Sequence, residues 1–347
     1  MKTARKVGTM SHSTTSPHES LPTLDELLGT ARVVTLPLHV KFRGVTHREM
    51  VLFRGPAGWA EFGPFLEYDD AESARWLAAG VEAGWLGFPS PLRTEVPVNA
   101  TVPAVSPDRV PAVLERFGPV TAVKVKVAEK GQEPHEDIDR VRAVRRALDA
   151  AGLRDAAIRV DANGGWDVPT AVAQLNRLAE TGLEYAEQPV MGIDGLAEVR
   201  SQLGGAVRIA ADESVRKEDD PLKVARAGAA DLLVVKVAPL GGVRKALRIV
   251  QEAGLPAVVS SALDTSVGIS AGVALAAALP DLPFACGLGT VSLFREDVVR
   301  DALTPREGVL PVGPVEPDPA LLDRHRASPD REAWWLDRLA RCHALLD

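Results

Sequence analysis

Cysteine is nearly absent: Cys286 and Cys342 are the only two among 347 residues. They form no CxxC pair and can close one disulfide at most. That argues against a stapled secreted domain and a thiolate zinc site, and favours a reducing, cytoplasmic setting. No apolar run approaches the ~18 residues of a membrane helix. Residues 1–22 are polar and lack the apolar centre of a signal peptide, so a disordered leader is expected there, with Met10 as an alternative start. Positive charge is not in excess either, with 40 Lys and Arg against 47 Asp and Glu and a net charge of −7. No basic field draws a phosphate backbone, and neither nucleic acid nor a membrane is an expected partner.

Two further scarcities constrain the chemistry. The histidines are His12, His18, His39, His47, His135, His325 and His343, which leaves positions 136–324 with none. A reaction housed in that span must use other groups. Lysine is outnumbered by arginine thirty to ten, so a Lys set among apolar residues needs a reason, because Lys can lose its proton and Arg effectively cannot.

What is present is a repeated unit of a short β-branched run, a turn and a stretch of helical period, the signature of βαβ structure. The runs cover 96–103, 121–128, 156–163, 183–189, 207–214, 231–238, 256–262 and 283–289, and helical patterns fill 107–117, 137–151, 168–181, 193–203, 220–228, 242–253 and 266–279. Eight runs predict an α/β protein with a closed (β/α)8-type barrel. The GxGxxG of the open doubly wound alternative is missing. Residues 31–67 read instead as an antiparallel meander, followed by a helix near 70–84 and, at the far end, an amphipathic helix in 318–346 carrying Trp334 and Trp335. The expected organisation is a leader over 1–22, an α+β capping domain over 23–92, the barrel over 93–300, and a C-terminal segment over 301–347 that packs back and completes the cap.

Catalysis in such a barrel sits at the C-terminal ends of the strands. Those ends carry Lys124 and Lys126, then Arg159, Asp161 and Asn163, then Glu187, then Asp212 and Glu213, then Lys236. Asp161, Glu187, Asp212 and Lys236 follow one another at one βα unit each, which predicts charged groups at one height on successive strands. Residues two apart share a strand face, so both Lys124 and Lys126 point inward if Val125 and Val127 pack outward. Ionised groups there are costly unless paired or bound to metal. Three carboxylates without thiolate or imidazole suit Mg2+, with Mn2+ a chemical equivalent, better than zinc. Lys126 and Lys236 then flank the ligand strands from opposite sides, each near a cation that favours its neutral, basic form.

The segments KVK (124–126), DAN (161–163), EQP (187–189), DES (212–214) and VVKVAPLGG (234–242) resemble the enolase superfamily in its muconate-lactonizing-type subgroup, across nearly the whole barrel. The resemblance implies a carboxylate substrate bound to Mg2+ on Asp161, Glu187 and Asp212, with Lys126 and Lys236 as the acid/base pair and a metal-stabilised enediolate. It also implies that cap loops near 42–47 and 61–65 close over the substrate. Dipeptide epimerases of this subgroup usually carry Asp-x-Asp on strand eight, where this chain has Gly287-Leu-Gly289. Backbone amides there, with the hydroxyls of Ser260 and Ser261, suit an anionic group.

The cap segments FRGVTHRE and GWAEFGPF and the run SSALDTSVG are most similar to the actinobacterial o-succinylbenzoate synthase family. That similarity implies syn dehydration of a succinyl-hydroxycyclohexadiene carboxylate in menaquinone biosynthesis, with N-acylamino acid racemisation or another cycloisomerase or epimerase reaction as the alternative. On that reading Lys126 takes the α-proton and returns it to the departing hydroxide, and Lys236 stays protonated. Lys124, Arg159, Asn163, Glu213, Ser260, Ser261, Gly287 and Gly289 are the candidate substrate-binding or supporting residues. The implied partner is a small carboxylate, and the chain is expected to be a monomer or small homo-oligomer.

Two motifs point elsewhere. Gly268-Ile-Ser270-Ala-Gly272 matches the GxSxG of serine hydrolases, but it lies in a helical stretch and not at a strand-to-helix elbow. Asn99-Ala-Thr101 is a glycosylation sequon with no secretory context to use it.

Overall fold

The computed structural model describes residues 21–42, 44–215 and 220–346; the expected leader up to residue 20, Met10 included, lies outside them. The meander forms as three antiparallel strands in the order β1 (Arg32–Phe42), β2 (Val45–Gly55) and β3 (Gly58–Phe62). After α1 (Leu24–Thr30), the sheet is buried on both faces at Met50–Phe53, and one face places Val33, Val51, Phe53, Ala60 and Phe62 in a core shared with α2 (Asp70–Val81). Asp69 caps α2 by accepting from the Glu72 amide at 2.8 Å. The helix expected to 84 stops at Val81 and widens into a π turn, Glu82–Leu86. Gly84 there lies so close to the β2–β3 hairpin that a Cβ on Gly55 would meet its carbonyl oxygen at 2.2 Å.

The barrel begins differently from expectation. The run 96–103 divides into β4 (Glu95–Pro97), paired antiparallel with a late strand, and β5 (Ala100–Val102). From β5 the sheet runs parallel through β6 (Ala122–Lys126), β7 (Ala157–Asp161), β8 (Leu183–Glu187), β9 (Ile209–Ala211), β10 (Leu232–Val235) and β11 (Ala257–Val259), seven strands in sequence order. The eighth run builds no ladder of its own. It closes the ring through single parallel bridges, Val98 with Cys286 on one side and Ser260 with Gly287 on the other. Four backbone bonds carry this closure: Cys286 to the Pro97 carbonyl (2.7 Å), Asn99 to Cys286 (2.9 Å), Gly287 to Val259 (2.8 Å) and Ser261 to Gly287 (3.1 Å). A run holding Pro283, Gly287 and Gly289 is poor strand material, which explains why bridges replace a ladder.

Around the strands lie α3 (Val110–Leu114), α4 (Pro134–Ala150), α5 (Val168–Ala179), α6 (Ile193–Leu203), α7 (Asp220–Arg226), α8 (Val237–Leu240), α9 (Val243–Ala253) and α10 (Ser266–Ala278). Their apolar faces and the outward strand residues, Val123, Val125, Val127, Ile158 and Val160 among them, form the largest core. The lower interior is a separate plug of Tyr185, Ala210, Leu232, Val234 and Val258.

Past β12 (Val309–Pro311), the partner of β4, the chain returns to the cap as α11 (Pro319–Arg324) and α12 (Pro329–His343). One helix was expected over 318–346; the chain instead breaks ahead of Pro329, which occupies a first-turn position where its missing N–H costs nothing. Trp335 is buried, stands edge-on to Phe62 at 6.1 Å and donates its indole N–H to Glu49 Oε2 at 2.9 Å. Arg338 reaches under the cap to the carbonyls of Phe65 and Tyr68 and to Ser73 Oγ. No helix among the described residues is long and apolar enough to cross a membrane.

Candidate active site

Register brings the charged residues together. Lys126 pairs with Asp161 across β6 and β7, and Asp161 with Glu187 across β7 and β8, so these three stand side by side. Glu187 pairs with Ala210, which puts Asp212 one pleat further along, with Lys236 just past the end of β10. The expected common height is therefore a stagger, the shear that a closed barrel requires. With Val125 and Val127 packed outward, both lysines do face inward. Lys124, Lys126, Asp161, Asn163, Glu187, Asp212, Lys236, Ser260, Ser261 and Gly287 all line one cavity of about 20 Å³, together with Phe42, Thr101, Ala262, Leu263 and Thr290.

Each carboxylate in this chamber accepts from a lysine. Lys124 Nζ bonds both oxygens of Glu187, at 2.9 and 3.0 Å, and lies 3.3 Å from Asp161 Oδ2. Lys126 donates to Asp161 and, at 2.7 Å, to Asn163 Oδ1; Lys236 donates to Asp212. All six charged residues are less than 10% exposed. Burial disfavours the Lys124 ammonium, but the charges of Glu187 and Asp161 outweigh it and raise its pKa. For Lys126 burial prevails, with the Lys124 charge acting in the same direction, and its pKa falls. Burial would raise Asp161, yet Lys126 and Lys124 overcome it and hold the carboxyl well below the usual range. Glu187 is pushed up to about 8 by burial and by the neighbouring charge of Asp161. The site thus holds its carboxylates by surrounding them with cations, and it contains a lysine inclined to lose its proton.

The other expected residues land less uniformly. Asn163, at φ +46, receives Lys126, donates its own amide N–H to Asp161 Oδ1 (3.0 Å) and gives Nδ2–H to Glu213 (3.1 Å), which ties Glu213 to the Lys126 side. Arg159 does not line the chamber. It lies below, donating to Glu184 (2.5 Å), Asn99 Oδ1 (3.0 Å) and the Ala285 carbonyl (2.6 Å) with its guanidinium over Tyr185. Gly287 does reach the chamber, where a Cβ would lie 2.6 Å from Ser260 Oγ; Gly289 faces outward onto Asn99, Pro305 and Phe117. The serine of the GxSxG segment lies inside α10, not at a strand-to-helix elbow, and donates to its own helix at the Val267 carbonyl (2.7 Å).

Sequence reasoning missed several contributors. Phe42, at the end of β1, lies 5.4 Å from the Lys126 ammonium, a cation–π contact supplied by the cap. Thr290 shares a hydrogen bond of 2.6 Å with Ser261. Gln188 sits at φ +37 and accepts from the amides of Asp212 and Ser214, so the EQP motif fixes the neighbouring strand end. Asp137 and Arg140 on α4 bind the Ala128 amide and the Lys126 carbonyl, clamping the end of β6. Phe42 opens the cap segment 42–47 that was expected to close over the substrate, and EQP could have been read for a backbone role; Thr290, Asp137 and Arg140 come from segments with no local signal.

Residues 108–318 match the family described as enolase C-terminal domain-like, and residues 33–84 the one described as enolase N-terminal domain-like. The chain belongs to the enolase superfamily. Among curated relatives, the o-succinylbenzoate synthase of Mycobacterium leprae is 52% identical over 94% of this chain and 95% of its own length. Those of Mycolicibacterium smegmatis and Mycobacterium tuberculosis are each 51% identical over 94% of this chain, covering 99% and 97% of theirs. Among solved structures, muconate lactonizing enzyme from Pseudomonas fluorescens superposes with a TM-score of 0.74 at 22% identity, over 86% of this chain and 98% of that one. A dipeptide epimerase from Enterococcus faecalis gives 0.68 at 21% identity, over 83% and 96%. Likeness at that identity is likeness of fold, and the superfamily's barrel with its N-terminal cap is the architecture described above.

Proposed function

We propose that this enolase-superfamily chain is an o-succinylbenzoate synthase that dehydrates a succinyl-hydroxycyclohexadiene carboxylate, and that Mg2+ is its metal. The observation that carries the reaction is identity above 50% along nearly the full length of curated synthases. The chamber described above gives that reaction a physical basis.

Among the described residues, no three His, Cys, Asp or Glu side chains stand as a ready-made metal cage; lysine ammoniums sit on the carboxylates instead. The donor chemistry still fits a hard dication. Asp161, Glu187 and Asp212 are buried oxygen donors that already require cations beside them, and they include no soft ligand. The proton that the raised pKa of Glu187 favours in the metal-free chamber would leave when a dication binds, the neutral form of Lys126 would be favoured beside it, and the added positive charge suits a dicarboxylate substrate. In this reading Mg2+, held by those three residues, supplies the positive charge that makes a proton beside the substrate carboxylate acidic.

The chain's own residues do the rest. Lys126, whose pKa is already lowered, takes the α-proton at Nζ, and Asn163 and Phe42 hold that amine in place. In a syn elimination the same Nζ returns the proton to the departing hydroxide. One base is then enough. Lys236, on the far side of the carboxylates, keeps its proton and offers its charge to the planar anion between them. The hydroxyls of Ser260 and Ser261 would be the donors for the substrate's second carboxylate, since the Gly287 N–H is already committed to the Val259 carbonyl at 2.8 Å, and Lys124 balances Glu187.

Incubation of the purified protein with Mg2+ and the cyclohexadiene substrate is expected to give an aromatic product with rising ultraviolet absorbance, lost on chelation. Racemisation of N-acylamino acids with no aromatic product would assign the chamber to the racemase reaction instead.

A further inference from the structure

The wall of the chamber formed after β11 is tied to the barrel at Ser260 and Ser261 and to the cap at Ala262 and Leu263. Arg48, on β2 and 4% exposed, donates from Nε to the Leu263 carbonyl (3.2 Å) and from Nη2 to those of Gly63 (2.6 Å) and Ala262 (3.4 Å). Its guanidinium lies over the ring of Phe65 at 4.2 Å. Glu61, on β3, accepts at one oxygen from Thr265 N (3.1 Å), Thr265 Oγ1 (2.5 Å) and Gly268 N (3.3 Å), so a cap carboxyl closes the first turn of barrel helix α10. Gly268 leaves room for it: a Cβ there would lie 2.7 Å from Glu61 Oε1. Between these contacts Leu263 sits at φ +65, a conformation a leucine keeps only when its surroundings impose it.

We infer that Arg48 and Glu61 are positioning residues that set the shape of the Ser260–Leu263 wall, so that substrate fit depends on how the cap is seated on the barrel. The inference deepens the proposed dehydration and rests on it for the claim that this wall meets substrate. Glu61 also faces a second cavity, of about 40 Å³, whose lining includes Asp264, Ser260, Ala262 and Lys236 and which therefore shares a wall with the chamber. Burial and the charge of Asp264 push the Glu61 carboxyl up to about 8, so at neutral pH it holds a proton and a glutamine is a fair replacement.

The test compares Arg48→Met, Glu61→Ala and Glu61→Gln by amide hydrogen exchange without substrate and by steady-state kinetics with Mg2+. A hydrogen bond from the charged Arg48 guanidinium is worth roughly tenfold or more in an equilibrium, and neutral Glu61 reaches a similar factor through the three bonds it accepts. Arg48→Met and Glu61→Ala should therefore speed exchange across residues 262–268 about tenfold while other barrel segments stay as they are. KM should rise by a similar factor, with kcat and the Mg2+ dissociation constant little changed, and Glu61→Gln should restore most of the loss. Thr265→Val, which removes a donor to Glu61 and also the α10 cap bond from the Val267 amide (3.1 Å), should, if a cap variant fails to fold, shift exchange and KM the same way and further. Unchanged exchange at 262–268 in folded variants would overturn the inference. So would equal losses of KM and kcat that Glu61→Gln does not repair. Exchange is read without turnover, so absence of dehydration in the wild type would count against the proposed reaction and leave the cap contact to be decided by the exchange result.

Discussion

Replacing Lys126 by Ala is expected to lower kcat by at least about 10³-fold, because one amine both removes the proton and returns it, and a positioned acid/base group contributes roughly 10²–10⁴ per role. Folding should survive, since Asp161 loses one ammonium but keeps Lys124 at 3.3 Å and the Asn163 amide at 3.0 Å. Substrate binding should also survive, because the carboxylate set, Lys236 and the serine wall are untouched. The measurement is kcat beside a substrate or product dissociation constant. A variant that loses turnover while still binding supports a proton-transfer role, and one with full turnover removes Lys126 from it.

Asp161→Asn is expected to act on two properties together. Asp161 accepts from Lys126, lies within reach of Lys124 and receives the Asn163 amide, so an amide in its place leaves two buried ammoniums short of a counter-charge. Breaking a buried pair costs about 3–5 kcal/mol, and metal-free protein should melt correspondingly earlier. Mg2+ affinity, read by titration calorimetry, should fall by more than the roughly 10–100-fold that loss of an indirect partner costs. The pH dependence carries a sign. The folded-state pKa of Asp161 lies below its ordinary value, so its contribution is complete above that value and fades as pH falls through the lowered one. Asp161→Asn should therefore flatten the acid limb of the metal-free stability profile. A variant that melts as the wild type and binds Mg2+ as tightly would remove Asp161 from the ligand set.

Much of this site could be read from the sequence because a barrel converts linear spacing into position. One βα unit per charged residue put Asp161, Glu187, Asp212 and Lys236 on successive strands, and the two-residue strand period turned Lys124 and Lys126 inward together. The stagger of Asp212 was not visible, since it arises from shear, a property of the closed ring and not of any one strand. Nor was closure by bridges in place of an eighth ladder. Depth was misjudged for Arg159: it shares a face with Asp161 but lies one pleat lower, against Tyr185. Gly287 and Gly289 look equivalent in sequence, yet the chain turns between them and only the first reaches the chamber. The contacts hardest to foresee join the cap to the loop after β11: Arg48 and Glu61 meet partners more than two hundred residues away, where no local pattern reports the pairing.

The central claim is that Lys126 removes the proton beside the carboxylate of a substrate that then loses hydroxide. Its most direct test is a single-turnover comparison of α-deuterated and ordinary cyclohexadiene substrate, followed by the growth of aromatic absorbance in wild type and in Lys126→Ala with Mg2+ present. The account predicts slower growth with deuterium in the wild type and no growth with either substrate in the variant. Aromatic product formed by Lys126→Ala at the wild-type rate would contradict it.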